Sequence, residues 1–288
     1  MKKKQSRKKG LSFGKILLIL LLLFATITVI ENISVGVTSY TVDTGHYSED
    51  EALRIVQLSD IHMIRRPSRA RQLLRKVTKL SPDVIAITGD LIDTGKYRFE
   101  ELQQYTINFC SELCTIAPVY LVYGNHEMAL LDDPVNNPFK LEFETGGVQI
   151  LNNAVEEIYI NGRKYVFLGV QDPSTLYKDR KYAFFTRKTT AVLTDITADI
   201  DTDDLTILLT HRPEDFKIYT EDFGIDLTLT GHAHGGQFRI PFTDIALYAP
   251  NQGYFPKYTS GMFESSGNYM IVSRGLGNRP STERLISV

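Results

Sequence analysis

Five apolar runs in this chain each stop at a residue that can bind a cation or carry a proton. "LRIVQLSD" ends at Asp60, "PDVIAITGD" at Asp90, "PVYLVYGN" at Asn125, "LTILLTH" at His211 and "DLTLTGH" at His232. Segments of helical pattern separate the first three. In "SRARQLLRKVTKL", Ser68 can cap a helix whose Leu73, Leu74, Val77 and Leu80 make one apolar face, and a second helix is expected around Glu100 to Cys114. Strand–helix–strand–helix–strand order argues for an α/β domain. In open α/β sheets ligands bind outside the carboxyl ends of the strands. Strands that deliver reactive residues at that one end have the organisation of a site.

The second half is dominated by strands. "EEIYINGRKYVFLGV" is two alternating runs around Asn161-Gly162, a strong hairpin signal. A helix with a loop is expected within residues 174–200 and a further helix near Glu214 to Thr220, with strands at "QFRIP" and "NYMIVSRGL". Two packed mixed sheets with helices outside, a four-layer αββα sandwich, would bury both halves around one core. At 288 residues the chain is long enough for that. Its net charge of -2, with no basic stripe beyond the N-terminus, gives no reason to expect nucleic-acid binding. Cys110 and Cys114, four apart in an expected helix, read as partly buried thiols; a disulfide framework or a zinc knuckle needs more of them.

The N-terminus is different in kind. "MKKKQSRKKG" has no acid, and Ile16 to Ile30 in the following stretch carry no charge. That run spans only ~22 Å as a helix against a hydrocarbon core of ~30 Å. Leu11 to Gly14 can extend it while Lys15 snorkels toward the headgroups. The alternative is a cleaved secretory signal, but "ATITVIENISV" is a poor match to an Ala-x-Ala-like cleavage site. The reading is therefore a basic tail and transmembrane signal anchor over 1–31, a polar linker or first edge strand over 32–50, and one domain over 51–288. The basic end stays cytoplasmic and the domain lies outside the cell membrane, single-pass if anchored, secreted if cleaved.

The chemistry-bearing positions are "SDIH" (Asp60, His62), "TGDLID" (Asp90, Asp93), "YGNHE" (Asn125, His126, Glu127), "LTHRP" (His211) and "TGHAHGG" (His232, His234). Of the histidines only His46 falls outside them. Strand alternation puts i and i+2 on one side, so Asp60 with His62, and His232 with His234, can aim at one point; a turn can achieve the same. Taken singly, each has a bland reading as a cap, a turn or a surface-loop residue, and Glu127 reads as structural. Taken together, imidazole with carboxylate or amide oxygen suits a divalent ion, and the lack of thiolate speaks against a structural zinc site.

The series "DIH … GD … GNHE … H … GHAH" resembles the signature of the calcineurin-like metallophosphoesterases. "GHAHGGQFRIP" followed by "SRGLG" is further similar to the membrane-associated or exported bacterial phosphodiesterases and UDP-2,3-diacylglucosamine pyrophosphohydrolase-like enzymes. The resemblance implies two divalent metal ions, manganese first, with iron, zinc or magnesium as alternatives. One would take Asp60, His62 and His234, the other Asn125, His211 and His232, and Asp90 would bridge them. His126 would face the substrate and assist the leaving group, with Asp93 orienting it. The implied reaction is attack on phosphorus by a hydroxide between the two ions. The implied substrate is a phosphorylated small molecule or a lipid-linked phosphodiester or pyrophosphate.

Arg66 and Arg212, with Arg65, lie beside motif residues and are weak candidates for substrate contact; solvated loop charge is the competing reading. Thr94 stands where protein Ser/Thr phosphatases have Arg, and those lack a compact "GHxH", which ranks protein phosphatase lower; protein or small-molecule phosphomonoesterase is the alternative, since the sequence does not separate monoesterase from diesterase. A non-catalytic metal-binding module of the same fold ranks third, because every ligand position is filled. The loops Met128 to Phe143 and Gln171 to Lys188 carry no recognisable substrate code. Relatives of this branch usually continue beyond the equivalent of "ERLISV" into another β-rich segment, so the sequence alone leaves the last strand of the sheet open.

Overall fold

Strands buried on both faces form the centre of the molecule, and their alternating side chains define its layers. The structure, a computed structural model, describes residues 12–33, 35–46, 52–62, 67–92, 99–130, 138–174, 182–201, 203–236, 238–239, 243, 245–276 and 284–287. The first sheet comprises β1 (Gly36–Ser39), β2 (Ile55–Leu58), β3 (Val84–Thr88), β4 (Val119–Val122), β5 (Val148–Ile150) and β15 (Arg284–Ser287), in the order β1-β15-β2-β3-β4-β5. Strands β2 to β5 are parallel; β15 runs antiparallel to β2 and parallel to β1.

The second sheet comprises β6 (Ala154–Ile160), β7 (Arg163–Val170), β8 (Thr206–Thr210), β9 (Leu227–Thr230), β13 (Gly261–Ser265) and β14 (Asn268–Val272), in the order β13-β14-β9-β8-β7-β6. Its inner strands are parallel, and antiparallel β6 and β13 close its edges. A small third sheet, β10 (Phe238–Arg239), β11 (Ala246–Ala249) and β12 (Gly253–Tyr254), lies between β9 and β13 in the chain.

The alternation is read directly from the packing. Along β3, Val84 and Ala86 enter the core between the sheets, where they meet Phe167, Ile207, Leu209 and Leu229 from the second sheet. Ile85 and Ile87 point the other way. They pack with Leu73 and Val77 of helix α2 (Pro67–Leu80) and with Phe109 and Leu113 of helix α3 (Phe99–Cys114). On the far side, Leu208 of β8 packs with Leu193 of helix α6 (Tyr182–Ile196). This gives the expected four layers, helix, sheet, sheet, helix. Two short helices, α4 (Asn125–Leu130) and α5 (Pro138–Thr145), follow β4.

The Asn161-Gly162 hairpin forms as expected, with Ile160 opposite Arg163 and positive φ at both turn residues (52° and 81°), the conformation that matches the twist of the strands. Cys110 is buried, Cys114 half-buried, and both are free. Two details differ from the sequence reading, and two that it left open are decided. Helix α2 starts at Pro67, a favoured first helical residue, so Ser68 lies inside the first turn and cannot be its cap. The helix expected near Glu214 to Thr220 is present but begins only at residue 216 and ends in a π-helical turn, Ile218–Asp222, pinned by buried Tyr219, whose hydroxyl donates to the Arg212 carbonyl (3.0 Å). Gly36–Ser39, within the span read as linker or edge strand, is the edge strand. "RLIS" becomes a strand inserted between β1 and β2.

The N-terminal helix α1 (Phe13–Ile33) has its described side chains at 13–23, 25 and 26. Among the described residues no helix is long and apolar enough to cross a membrane, so the expected transmembrane helix is not established. Its described apolar side chains, Ile16 to Leu23, are all exposed.

Candidate metal centre

The strand ends deliver their residues to one place. Asp60 and His62 follow β2, Asp90 follows β3, Asn125 and His126 open α4 after β4, His211 follows β8, and His232 and His234 follow β9. The ligand atoms of Asp60, His62, Asp90 and His234 form one cluster, all within 4.8 Å of one another; those of Asp90, His211 and His232 form a second. Asp90 belongs to both. All these residues are buried.

The i, i+2 pairs reach their positions through turns, not through continued strands. Asp60, His62, Asp90, His232 and His234 have φ of 49°, 43°, 52°, 64° and 50°, the left-handed region that side-chain-bearing residues avoid. Strain of this kind persists only where surrounding structure over-determines it, and it gathers at functional sites. The surrounding structure is visible. The Asp60 carboxylate accepts the His232 backbone N–H (3.0 Å) and the Ser59 hydroxyl (2.7 Å). Gly275 of "SRGLG", at φ 80°, packs so close that a Cβ there would stand 2.8 Å from the Asp60 Cβ, which accounts for a glycine at that point. Glu127 accepts three buried backbone N–H groups, from Asp90 (2.9 Å), Ile92 (3.0 Å) and Gly124 (2.8 Å), tying the β3 loop to the β4 loop.

Ring nitrogens converge in pairs. His62 Nε2 lies 3.3 Å from His234 Nε2, and His232 Nδ1 lies 3.1 Å from His211 Nε2. Asp90 Oδ2 stands 3.3 Å from His211 Nε2, 3.7 Å from His62 Nε2 and 3.9 Å from His126 Nε2, while Asp90 Oδ1 accepts the His126 backbone N–H (2.9 Å). His234 Nε2 is 3.6 Å from Asp60 Oδ1. The Thr88 carbonyl can only accept, so the 2.8 Å contact makes His211 Nδ1 the donor and turns Nε2 toward Asp90. Asn125 Oδ1 is buried with no hydrogen-bond partner. A buried acceptor in that condition costs about 1–3 kcal/mol unless something positive meets it. The donor set and this orphaned oxygen both fit divalent cations, with Asp60, His62, Asp90 and His234 able to hold one and Asp90, His211 and His232 a second.

The electrostatics agree with that fit. Burial alone would raise the Asp90 carboxyl, yet the charge and hydrogen bond of His211, then the charges of His126 and His62, hold it well below the usual carboxylate range. Burial alone would lower His211, but Asp90 outweighs it and pushes the imidazolium up to about 10. His232 is held well below its ordinary value by burial and by the charges of Arg212 and His211. His211 therefore carries a proton where a cation would sit, and metal uptake near pH 8 should release about one proton. A folded value raised from 6.5 to about 10 contributes stability that is full below 6.5 and is lost as pH rises through 10. The thermal midpoint of metal-free protein should fall across that window, and excess manganese should flatten the slope; calorimetry in two buffers of different ionisation enthalpy checks both.

His126 borders the site, its ring edge-on to His62 with centroids 4.7 Å apart and its side chain 12% exposed against 3% for His62. Arg212 is buried, which overturns the reading as solvated loop charge. Asp172 holds its guanidinium by two contacts (2.7 and 3.3 Å), Phe185 lies beneath it at 4.4 Å, and its terminal nitrogen is 3.5 Å from His232 Nε2. Asp172 lies outside the motif series, although "LGVQD" obeys the same rule of an apolar run ending in an acid. Asp93, Arg65 and Arg66 lie outside the described residues. His46, outside the motifs, pairs with Asp226 (3.1 Å) ahead of β9.

Comparison with known proteins points the same way. Residues 53–236 match the family described as calcineurin-like phosphoesterase. The chain is 26% identical over 230 residues to the metallophosphoesterase YkuE of Bacillus subtilis, covering 79% of this chain and 73% of the relative. It is 28% identical over 264 residues to a metallophosphoesterase of Aquifex aeolicus, covering 90% of each. Among solved structures, phosphopantetheinyl hydrolase (PptH) from Mycobacterium tuberculosis overlays 81% of this chain and 95% of its own, with a TM-score of 0.48 and 13% identity.

Proposed function

The chain belongs to the calcineurin-like phosphoesterase family, and on that premise we propose that it is a membrane-attached, metal-dependent hydrolase of a phosphodiester or pyrophosphate bond. The observation that carries the metal-dependent part is the pair of buried ligand clusters sharing Asp90. Divalent cations held there would supply Lewis-acid charge to the phosphoryl oxygens and make a water acidic enough to attack phosphorus near neutral pH. Manganese is the first choice by the resemblance to the family, with iron, zinc and magnesium as alternatives that the same nitrogen–oxygen set accepts.

The chain's own residues then have separate tasks. Asp90 is the residue the two clusters share, and its Oδ2, facing both His62 and His211, brings carboxylate charge to each. Asn125 adds an oxygen without charge, leaving the site cationic enough to draw a phosphate. His126, at the mouth, donates its proton to the oxygen that leaves when the P–O bond breaks; Asp93 would orient it. Arg212, fixed by Asp172 and Phe185, offers its remaining N–H groups to a phosphoryl oxygen beside His232.

The diester or pyrophosphate preference follows the likeness of "GHAHGGQFRIP" and "SRGLG" to exported bacterial enzymes, and a lipid-linked substrate suits it. Attachment to the membrane is supported by the basic tail and by the exposed apolar side chains of α1. The domain then lies outside the cell membrane.

Hydrolysis of bis(4-nitrophenyl) phosphate and of 4-nitrophenyl phosphate by the full chain in detergent tests the chemistry. Chelation should abolish turnover and manganese should restore it. Undiminished turnover after chelation sinks the metal mechanism, and faster turnover of the monoester sinks the diester preference. The His126→Ala chain should lose about a hundredfold in turnover with a poor alkoxide leaving group and much less with nitrophenolate, which needs no proton. Protease accessibility of the domain in intact cells tests its side of the membrane.

A further inference from the structure

The small sheet β10–β12 leaves an unusual group of side chains in solvent. Tyr254 is 82% exposed and Phe255 73%, and Ile245 and Leu247 beside them are exposed too. Phe255 has φ 52°, a conformation that a bulky residue adopts only when held there, and its backbone N–H donates to the Leu247 carbonyl (3.1 Å). Tyr248 packs edge-on against Tyr254 from the paired position (centroids 5.6 Å), so the aromatic tip is supported from behind. Lys257 is exposed next to it. An aromatic ring, a phenol, aliphatic side chains and a cation together suit the boundary between lipid headgroups and acyl chains.

The position of this patch comes from strand register. Strand β9 ends at Thr230 opposite Val272 of β14, and Val272 pairs with Gly261 at the start of β13. Strand β9 therefore ends, and β13 begins, at the end of the sandwich that carries the metal centre, and the small sheet lies between them in the chain. Contact ties the small sheet to that end: a Cβ on Gly236, two residues past His234, would strike Ala246 of β11.

An independent feature points to the same end. Gly36 of β1 is level with Arg284 of β15, and β15 runs antiparallel to β2 with Ile286 opposite Gln57. Continuing that register puts Gly36 level with Ser59, beside Asp60. From there β1 runs away from the centre; Tyr40 and Val42 pack against the core between the sheets, and His46 reaches Asp226 at the opposite end. The chain coming from α1 thus enters the domain on the edge that carries the catalytic loops.

We propose that the rim of the metal centre docks on a phospholipid bilayer, with Tyr254 and Phe255 of the small sheet seated in the headgroup layer and the catalytic loops facing the membrane that α1 occupies. This rests on the membrane-attachment reading above and deepens it. A substrate whose phosphate stands at the bilayer surface would meet the centre without leaving the lipid.

The chain contains no tryptophan, so single substitutions give unambiguous reporters. Full-length Phe255→Trp and Tyr159→Trp chains are reconstituted in phosphatidylcholine vesicles with or without brominated acyl chains. Tyr159 is 66% exposed on β6, opposite Lys164 at the far end of the second sheet. Emission from the Phe255→Trp chain should shift to the blue and fall about twofold with brominated lipid, as expected for a ring seated at the acyl boundary. Emission from Tyr159→Trp should do neither. Unquenched emission at position 255 in chains that float with the vesicles overturns the docking and leaves membrane attachment standing. Equal quenching at both positions overturns the orientation. Chains that do not float overturn attachment and docking together. A blue shift at position 255 without quenching means that a protein surface, such as a second copy, covers the patch, and it also overturns the proposal.

Discussion

The Asp90→Asn chain is expected to fold, to bind fewer metal ions and to lose about ten-thousandfold in kcat/KM. The amide keeps an oxygen for the His126 backbone N–H, so the α4 end of the loop stays tied. It loses the charge that both clusters use. Asp90 Oδ2 stands within 4 Å of His62, His126 and His211, and an amide NH₂ there would compete for the lone pairs that cations need. A loss of ten-thousandfold corresponds to about 5 kcal/mol of transition-state stabilisation, in the range of several kcal/mol that metal-centred charge supplies. Metal content by mass spectrometry together with diester kinetics checks it. Unchanged metal content with unchanged turnover would remove Asp90 from the centre.

The Glu127→Ala chain should show the largest loss of stability. Three buried backbone N–H groups, from Asp90, Ile92 and Gly124, donate to this one carboxylate, and alanine leaves them without a partner. At about 1–3 kcal/mol for each orphaned donor, partly relieved by entering water, the cost should be about 3–5 kcal/mol. Asp90 and Gly124 are among the donors, so the metal centre should loosen along with the fold. Glu127→Gln, which retains one oxygen, should recover part of the loss. Denaturant midpoints of the metal-free chains separate this role from metal binding. A Glu127→Ala chain as stable as the parent would show that the carboxylate does not hold the loops.

The residues of the centre were legible because reactive side chains end runs of strongly apolar strand, and local pattern reports both facts. What lay beyond reach depends on partners distant in sequence. Nothing local in "ERLISV" says that it inserts between β1 and β2, since strand pairing is decided by packing across the sheet. Arg212 looked like a loop charge because Asp172 and Phe185, which bury it, arrive from other elements. Ser68 misled because Pro67 is itself a good first residue for a helix. The strained backbone at Asp60, His62, Asp90, His232 and His234 left no mark at all, because residues with positive φ there are chosen for their side chains and against their backbone preference.

Each ligand cluster takes members from both sheets. Asp60, His62 and Asp90 belong to loops of the first and His234 to the second; Asp90 again meets His211 and His232 across the same gap. Loaded cations would accordingly act as rivets, clamping two separately built slabs at one edge while the apolar core grips them everywhere else. Neither slab carries a complete seat for an ion. A protein made this way cannot be shortened to half its architecture and keep half its chemistry. Its resistance to being pulled apart along that seam should rise and fall with the supply of metal in its surroundings.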